Sequence, residues 1–437
     1  MLESTTEPGF RLCDGYTVAF RTSSERYSHF FGYYDKCPLS RDNTKLLSHR
    51  VSFDGRAVQD GDVAEVGYFD LAANRFVVCG ETLAWNWQQG SQLQWLPPEY
   101  GREIIYNSIC DGRFVSTIYN IETGHERTVP FPVYTVHPNG REALGINYER
   151  HYWCRPGYNY QNIKNKKWDR PYHEEDGIWR IDLSTGEHHR IVNIVDIINH
   201  EPRSGFGFHD HWLEHVQYNP TGSRFMFFHR WRAGDQDLSR VYSADANDGS
   251  ALHMYPDVGF YSHYAWKNDH QLTIWSLSER ASRKNHVLRN VIGIVDRVPG
   301  LKAIIKAVVQ RTRPDRTPAS PYAGSSLMNY EDRTPRYRVI GEGVLTGNGH
   351  QSWFADGEQL LNDTYQMEDG FRHLMTYDTK RHVKSLIGRF FSWYNDSGHR
   401  CDLHPRISLD NRYIVIDSAH ASNRQIVVID TRGQDAS

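Results

Sequence analysis

The 437-residue chain has 50 Lys and Arg against 53 Asp and Glu, a net charge of −3, which excludes a globally basic nucleic-acid binder and an acidic tail. Aromatic residues make up 13%, with 26 Tyr and 12 Trp, a composition that suits strand-rich structure and the stacking of flat rings on sugars. No run of about twenty apolar residues occurs, the N-terminus MLESTTEPGF carries no basic or apolar leader, and six cysteines are scattered without a CxxC pair, so the expectation is a cytoplasmic protein with reduced thiols.

In chain order, the segment YTVAFRT reads as a strand, and a turn signature then recurs. Its instances are LSRDNTKLL from residue 39, WLPPEYGREIIY from 95, VHPNGREALGI from 136, YNPTGSRFMFF from 218, WKNDHQLTIW from 266, WFADGEQLLN from 353 and ISLDNRYIVI from 407. Most are followed by a second hairpin, such as YFDLAANRFVV or WRIDLSTGEHHRI. The Asn, Asp and Gly in these turns supply the positive-φ positions that tight hairpins need. Two hairpins make a four-stranded blade, and seven blades make an all-β, seven-bladed β-propeller that occupies residues 1–437 as one domain. The last strand, QIVVID, is expected to share a blade with YTVAFRT and close the ring. The competing architecture is a pair of β-sandwiches, which the absence of a linker between seven equivalent turns disfavours.

Two segments interrupt the rhythm. Residues 149–176 form an aromatic and basic insert between strands. Residues 280–338 form a larger one, and its first part is the stretch with clear helical periodicity: Val287, Leu288, Val291, Ile292 and Val295, then Leu301, Ile304, Ile305 and Val308 after Pro299-Gly300. Between Arg280 and Arg316 stand ten Lys or Arg and two Asp, a net of +8. A basic amphipathic helix of this kind lies on an anionic membrane surface or docks on a protein partner; the plainer reading is a helical hairpin packed on the propeller's flank.

Three residues before the residue that opens each turn, the chain has Lys36, Gln92, Val133, His215, His263, His350 and His404. Four consecutive blades thus place histidine at one structural position. If that strand lines the central channel, alternation points equivalent side chains the same way and the four imidazoles converge. The plainer alternative is a ring of histidines bonded to neighbouring backbone. The functional reading is a metal site with His215, His263, His350 and His404 as ligands and Lys36 and Gln92 completing the ring. Neutral imidazoles suit a divalent transition metal, Mn or Zn foremost, and suit Ca or Mg poorly. Other polar groups are expected at the same channel mouth: His29, Tyr33, Tyr34 and Asp35; His209 and His211; His229, Arg230 and Arg232; Asp402 and Arg406; Arg155, Tyr158 and Tyr160.

The runs HFFGYYDKCPLS, NWQQGSQLQWL, RPGYNY, HWLEHVQYNPTGSRFMFFHRWR, NGHQSWFADGEQLLNDTY and RCDLHPRISLDNRYIVIDSAH resemble a group of seven-bladed propeller polysaccharide lyases: oligogalacturonate lyase, ulvan lyases and rhamnose–glucuronate lyases. The resemblance covers most of the chain outside residues 280–338. It implies β-elimination at a uronic acid within an acidic oligosaccharide. A metal or Arg neutralises the carboxylate beside the reacting carbon, a His or Tyr takes the C5 proton, and an acid assists departure of the C4 oxygen. Tyr158 or Tyr160, with Arg230 or Arg232, would supply base or acid and neutraliser; His211 joins them as a candidate. His29, Tyr34, Lys36, Gln92, Arg155 and Arg406 would contact substrate.

The chain departs from the ulvan and rhamnose–glucuronate branches, whose catalytic histidines are expected on the inner strands of blades two and three. Those regions read IIYNSICDG and FPVYTVHPNG, with Asn107 and Ser108 in the first and His137 only in the turn of the second. The mechanism of those branches therefore does not carry over intact. Two other functions fit the same scaffold: a glycoside hydrolase, and a non-catalytic propeller of surface-polysaccharide assembly that docks through residues 280–316.

Overall fold

A computed structural model of the chain describes residues 2–7, 9–203, 205–278, 324–394 and 398–432. Seven antiparallel sheets follow one another along the chain, each beginning at one end of its hydrogen-bonded order with the strand that comes first. Blades one to six span residues 28–82, 94–129, 135–193, 210–254, 261–340 and 351–391, and blade seven spans 406–430. Thr17–Arg21 pairs with Gln425–Asp430 as the fourth strand of blade seven, so the ring is closed as the sequence predicts. Leu2–Glu7 and Phe10–Cys13 extend the outer edge of blade six, where Phe10 stacks on Phe390.

The strands are buried on both faces, and alternation divides their side chains between two inter-blade cores. In Arg224–Ala233 of blade four, Phe225 and Phe227 pack with Tyr242 and Leu144, whereas Met226 and Phe228 pack with Tyr264 and Ile274 of the next blade. Several turn residues also pin neighbouring blades together. Trp95 donates its indole N–H to Pro38 O, Trp266 donates to Gln217 O, and Trp353 donates to Thr273 Oγ1.

The insert of blade three leaves after Glu142–Ile146 and returns at Gly177–Asp182. It opens with the helix Tyr148–Cys154, whose first N–H groups are accepted by the Asn147 side chain. Buried Arg150 ties the insert to blade four by donating to the carbonyls of His211, Trp168 and Pro171. This helix and Ile194–Asn199 escaped the sequence reading, which placed clear helical periodicity only in the larger insert. That larger insert also ends earlier than predicted. Ser325–Glu331 and Tyr337–Ile340 are the outer two strands of blade five, because SSLMNYE alternates its faces against Gln271–Leu277. The helical part, with the basic run 280–316, lies outside the described residues. Among the described residues no helix is long and apolar enough to cross a membrane.

Candidate functional site

Of the seven aligned positions, His215 and His263 lie in bulges of inner strands and the other five in irregular backbone outside the strands. His215 sits in a bulge of Asp210–Tyr218, where pairing skips from Glu214 to Gln217, and His263 in a bulge of Tyr261–Asn268, where it skips from Tyr261 to Tyr264. His215, Gln92 and His404 have φ of 55°, 58° and 46°. A left-handed residue without glycine's freedom costs about 1 kcal/mol or more, and it re-aims its side chain out of the strand's alternation. Here the re-aimed rings enter the channel.

Three imidazoles come together. Ring centroids are 3.9 Å apart for His263 and His350 and 4.4 Å apart for His350 and His404. Each is held by Nδ1. His350 Nδ1 lies 3.0 Å from both oxygens of buried Asp363, and His404 Nδ1 lies 2.6 Å from Gly32 O. A carboxylate and a carbonyl only accept, so both Nδ1 atoms carry the proton and both Nε2 atoms present a lone pair. His263 Nδ1 meets Asn348 Oδ1 at 3.0 Å, an amide oriented by donation from Asn348 Nδ2 to Ser262 Oγ, which leaves His263 Nε2 facing the Tyr365 hydroxyl at 3.4 Å.

Gly32 makes the His404 anchor possible. Its φ is 131°, a Cβ there would stand 2.7 Å from the Gln89 carbonyl carbon, and its N–H is held by Asp417 Oδ2. The Nε2 atoms of His350 and His404 are buried with no hydrogen-bond partner among the described residues. Two such orphans cost about 1–3 kcal/mol each unless something binds there. His350, His404 and Asp402 each offer a ligand atom, all within 4.8 Å of one another. Burial, reinforced by His350, holds the His263 and His404 imidazoles well below their ordinary range and keeps them neutral. Burial alone would raise Asp402, but Arg400 at 2.6 Å and Arg372 at 2.9 Å outweigh it and keep the carboxylate ionised. The donor set fits a divalent transition metal.

His215 stands apart from this trio, contrary to the expectation of a four-histidine set. The Tyr33 ring intervenes, stacked on His215 at 5.4 Å and edge-on to His404 at 5.1 Å. His215 Nδ1 meets the Tyr134 hydroxyl at 3.1 Å, and Nε2 lies 3.3 Å from Glu214 Oε1. Burial lowers the His215 pKa to about 3, Glu214 opposes the shift, and Arg230 and Arg155 add to it. Burial would raise Glu214, but Arg155, whose Nε is 2.7 Å away, and Arg230 more than compensate.

His215, His263 and Tyr33 line a cleft of about 850 Å³, together with Tyr158, Arg155, Arg230, Arg232, Tyr365 and Arg400. Of the predicted residues, Tyr158, Arg155, Arg230, Arg232, His215 and His263 thus reach the cleft, and His350 and His404 lie beside His263. Lys36 pairs with Asp35 at 2.8 Å, Gln92 donates to Gln89, and Tyr34 bonds both to Tyr264 O and to Tyr264 N, so these three brace the channel wall. Four expectations are corrected. Tyr160 stacks on Tyr148 and accepts from Asn107; His211 pairs with His229 at 2.9 Å and with Phe206 O; His29 packs on Phe69 and Phe76; Arg406 donates to Tyr33 O and Asp417. His29, His211 and Arg406 are buried on inter-blade faces of their strands, and Tyr160 is buried where the insert packs against Tyr148 and Asn107.

Glu214, Asn348, Asp363, Tyr365 and Arg400 were not singled out from the sequence. Asp402 was named only as a mouth residue; it stands in irregular backbone before Arg406–Ile407, where strand alternation gives no side.

The fold and site define a seven-bladed propeller with a histidine-lined polar cleft at one mouth of its channel. Among solved structures, an oligogalacturonate lyase in complex with manganese superposes with a TM-score of 0.62 at 16% identity, over 98% of this chain and 95% of that one. The oligogalacturonate lyase from Vibrio parahaemolyticus superposes with a TM-score of 0.60 at 14% identity, over 98% and 95%. At these identities the likeness is one of fold. No protein-family model matches the chain, and no curated protein sequence matches it.

Proposed function

We propose that the protein is a metal-dependent lyase that cleaves uronate-containing oligosaccharides by β-elimination. The observation that carries this reading is the trio of histidines fixed through Nδ1, with two Nε2 atoms bare and buried, at the edge of an arginine-lined cleft. The likeness of fold to an oligogalacturonate lyase crystallised with manganese supports it.

His350, Asp402 and His404 would hold the metal, with the His263 ring beside that of His350 as a further candidate donor. When bound, such an ion acts as a Lewis acid toward the uronate carboxylate and lowers the cost of removing the proton at C5. The Glu214 carboxylate holds the Nε2 proton of neutral His215, so Nδ1, which meets the Tyr134 hydroxyl, would receive the C5 proton, and Glu214 would stabilise the imidazolium. The C5–H electron pair becomes the C4–C5 double bond, and the C4–O bond breaks with its pair on oxygen. The Tyr158 hydroxyl, 3.4 Å from Arg400 Nη2 and under the Arg155 guanidinium at 4.2 Å, protonates that oxygen. A hydrolase would need two available carboxylates across the cleft, but Glu214 is committed to Arg155 and Arg230 and Asp237 to Arg232, which leaves Asp235 among the described lining carboxylates.

The test is incubation of metal-depleted protein with uronate oligosaccharides, before and after adding manganese or zinc. The expected result is metal-dependent growth of the ultraviolet absorbance of an unsaturated uronate, abolished in His215→Ala. Reducing ends without that absorbance would establish a hydrolase, and neither product would favour a binding scaffold.

A further inference from the structure

The cleft arginines fall into two groups. Arg155 and Arg230 share Glu214 beside His215, and Arg232 is held by Asp237 at 2.9 Å and by Cys154 O at 2.9 Å. Arg400 belongs to the opposite wall. Residues 400–404 run RCDLH up to the inner strand of blade seven, Arg406–Ile407, with Leu403 packed against Ile414 and Ile416 in the core. Arg400 donates to Asp402, and the Asp402 carboxylate stands within 4.8 Å of a His404 ring nitrogen, so the three form a ladder of contacts. Their side chains are 20%, 0% and about 2% exposed, so Arg400 is the rung at the mouth.

One edge of the Arg400 guanidinium is committed and the other is not. Nε donates to Asp402 Oδ2 at 2.6 Å, and the backbone is fixed by Gln88 Nε2 donating to Arg400 O at 3.0 Å. Nη2 reaches Gln88 Oε1 and the Tyr158 hydroxyl only at 3.4 Å, at the outer limit of a hydrogen bond. The cation also faces the Tyr365 ring at 5.8 Å, and the Tyr365 hydroxyl in turn meets His263 Nε2. The result is a rigid planar fork whose Nη edge opens on the cleft within one rung of the histidine trio.

We propose that Arg400 is the residue that selects a free uronate: its Nη edge binds the sugar carboxylate bidentately, beside the residues that would hold the metal. This rests on the lyase reading and names what that reading leaves open, the group that distinguishes a free acid from its ester. A planar fork matches a carboxylate as an ammonium does not.

The experiment is calorimetric titration of manganese-loaded wild type, Arg400→Gln and Arg400→Lys with digalacturonate and a glucuronate disaccharide, each as free acid and as methyl ester. Metal content and far-ultraviolet circular dichroism are measured on the same samples. Arg400→Gln is expected to lose about 10- to 100-fold in affinity for the free acid, the usual loss of a charge-assisted bidentate contact, and little for the ester, at unchanged manganese content. Arg400→Lys keeps the charge but not the fork and is expected to lose part of that discrimination; it carries the comparison if the glutamine variant does not fold. Equal loss for acid and ester, or loss of manganese in parallel with affinity, would overturn the proposal by making Arg400 a shaping residue or a mere counter-ion of Asp402. Wild type that holds manganese but binds neither acid would refute the lyase reading itself.

Discussion

The anchor of His350 is the point at which the metal reading is most exposed to refutation. Asp363 is fully buried and receives two donors from one residue, the backbone N–H of His350 at 2.7 Å and its Nδ1–H at 3.0 Å. In Asp363→Asn the volume is kept, but one amide oxygen must serve both donors. If it stays on the backbone N–H, the amide NH2 faces Nδ1, and the imidazole answers by moving its proton to Nε2, the atom that would bind metal. Loss of an acceptor behind a ligating histidine typically weakens metal binding about 10- to 100-fold, or about 1.4–2.7 kcal/mol. Competition of the purified protein against a chelator of known affinity measures this directly, with manganese and zinc in turn. A dissociation constant within error of wild type, from a variant with native circular dichroism, would mean that His350 is a structural residue and that its bare Nε2 binds nothing.

Three further outcomes are expected. Burial raises the Asp176 pKa from 3.8 to about 7, so the folded state keeps a proton that the unfolded chain has lost. Stability then falls as pH rises from about 4 through 7, with a deficit of at most about 4 kcal/mol above it; Asp176→Asn should melt higher than wild type at pH 8 and no higher at pH 4. Glu214→Gln leaves the Arg155 and Arg230 guanidiniums without their anion and should cost about 3 kcal/mol by urea denaturation, at the low end for a broken buried pair because both arginines border the cleft. Leu277 and Ser325 are cross-strand partners, so replacing residues 279–323 by Asn-Gly should leave the melting temperature and the metal content of the propeller unchanged.

The blade count was legible because hairpin turns demand Asn, Asp or Gly at fixed places, and that demand repeats with the blade. The recurrence of histidine at one offset was legible for the same reason: equivalent positions in successive blades are equivalent in space. What the offset could not reveal was the partition of the four rings. Tyr33 comes from an irregular stretch between the first two strands of blade one, and no periodicity predicts that its ring stands between His215 and the others. The fixing partners Asp363, Asn348 and Gly32 come from three further segments, and only their side-chain and backbone geometry decides which imidazole nitrogen is bare. His211, His29 and Arg406 were misplaced because a strand buried on both faces gives a polar residue no hydropathic mark of the side it takes, and Tyr160 because the insert that carries it has no strand periodicity. The end of the larger insert was misjudged at SSLMNYE, a strand with too little apolar contrast to stand out beside a basic run.

The first 21 residues are divided between the two blades that come last in the chain. Thr17–Arg21 waits for Gln425–Asp430, Phe10–Cys13 waits for Val383–Phe391, and Asp417 of blade seven grips the N–H groups of Phe31 and Gly32 in blade one. On a ribosome Thr17–Arg21 emerges with no strand partner until some four hundred residues later, and Phe10–Cys13 with only Leu2–Glu7 beside it. Gly32, whose carbonyl fixes the His404 tautomer, is itself held through its N–H by Asp417 of that last blade. Assembly of the candidate metal pocket and sealing of the ring are thus one event, which makes metal uptake a reporter of whether the circle has shut.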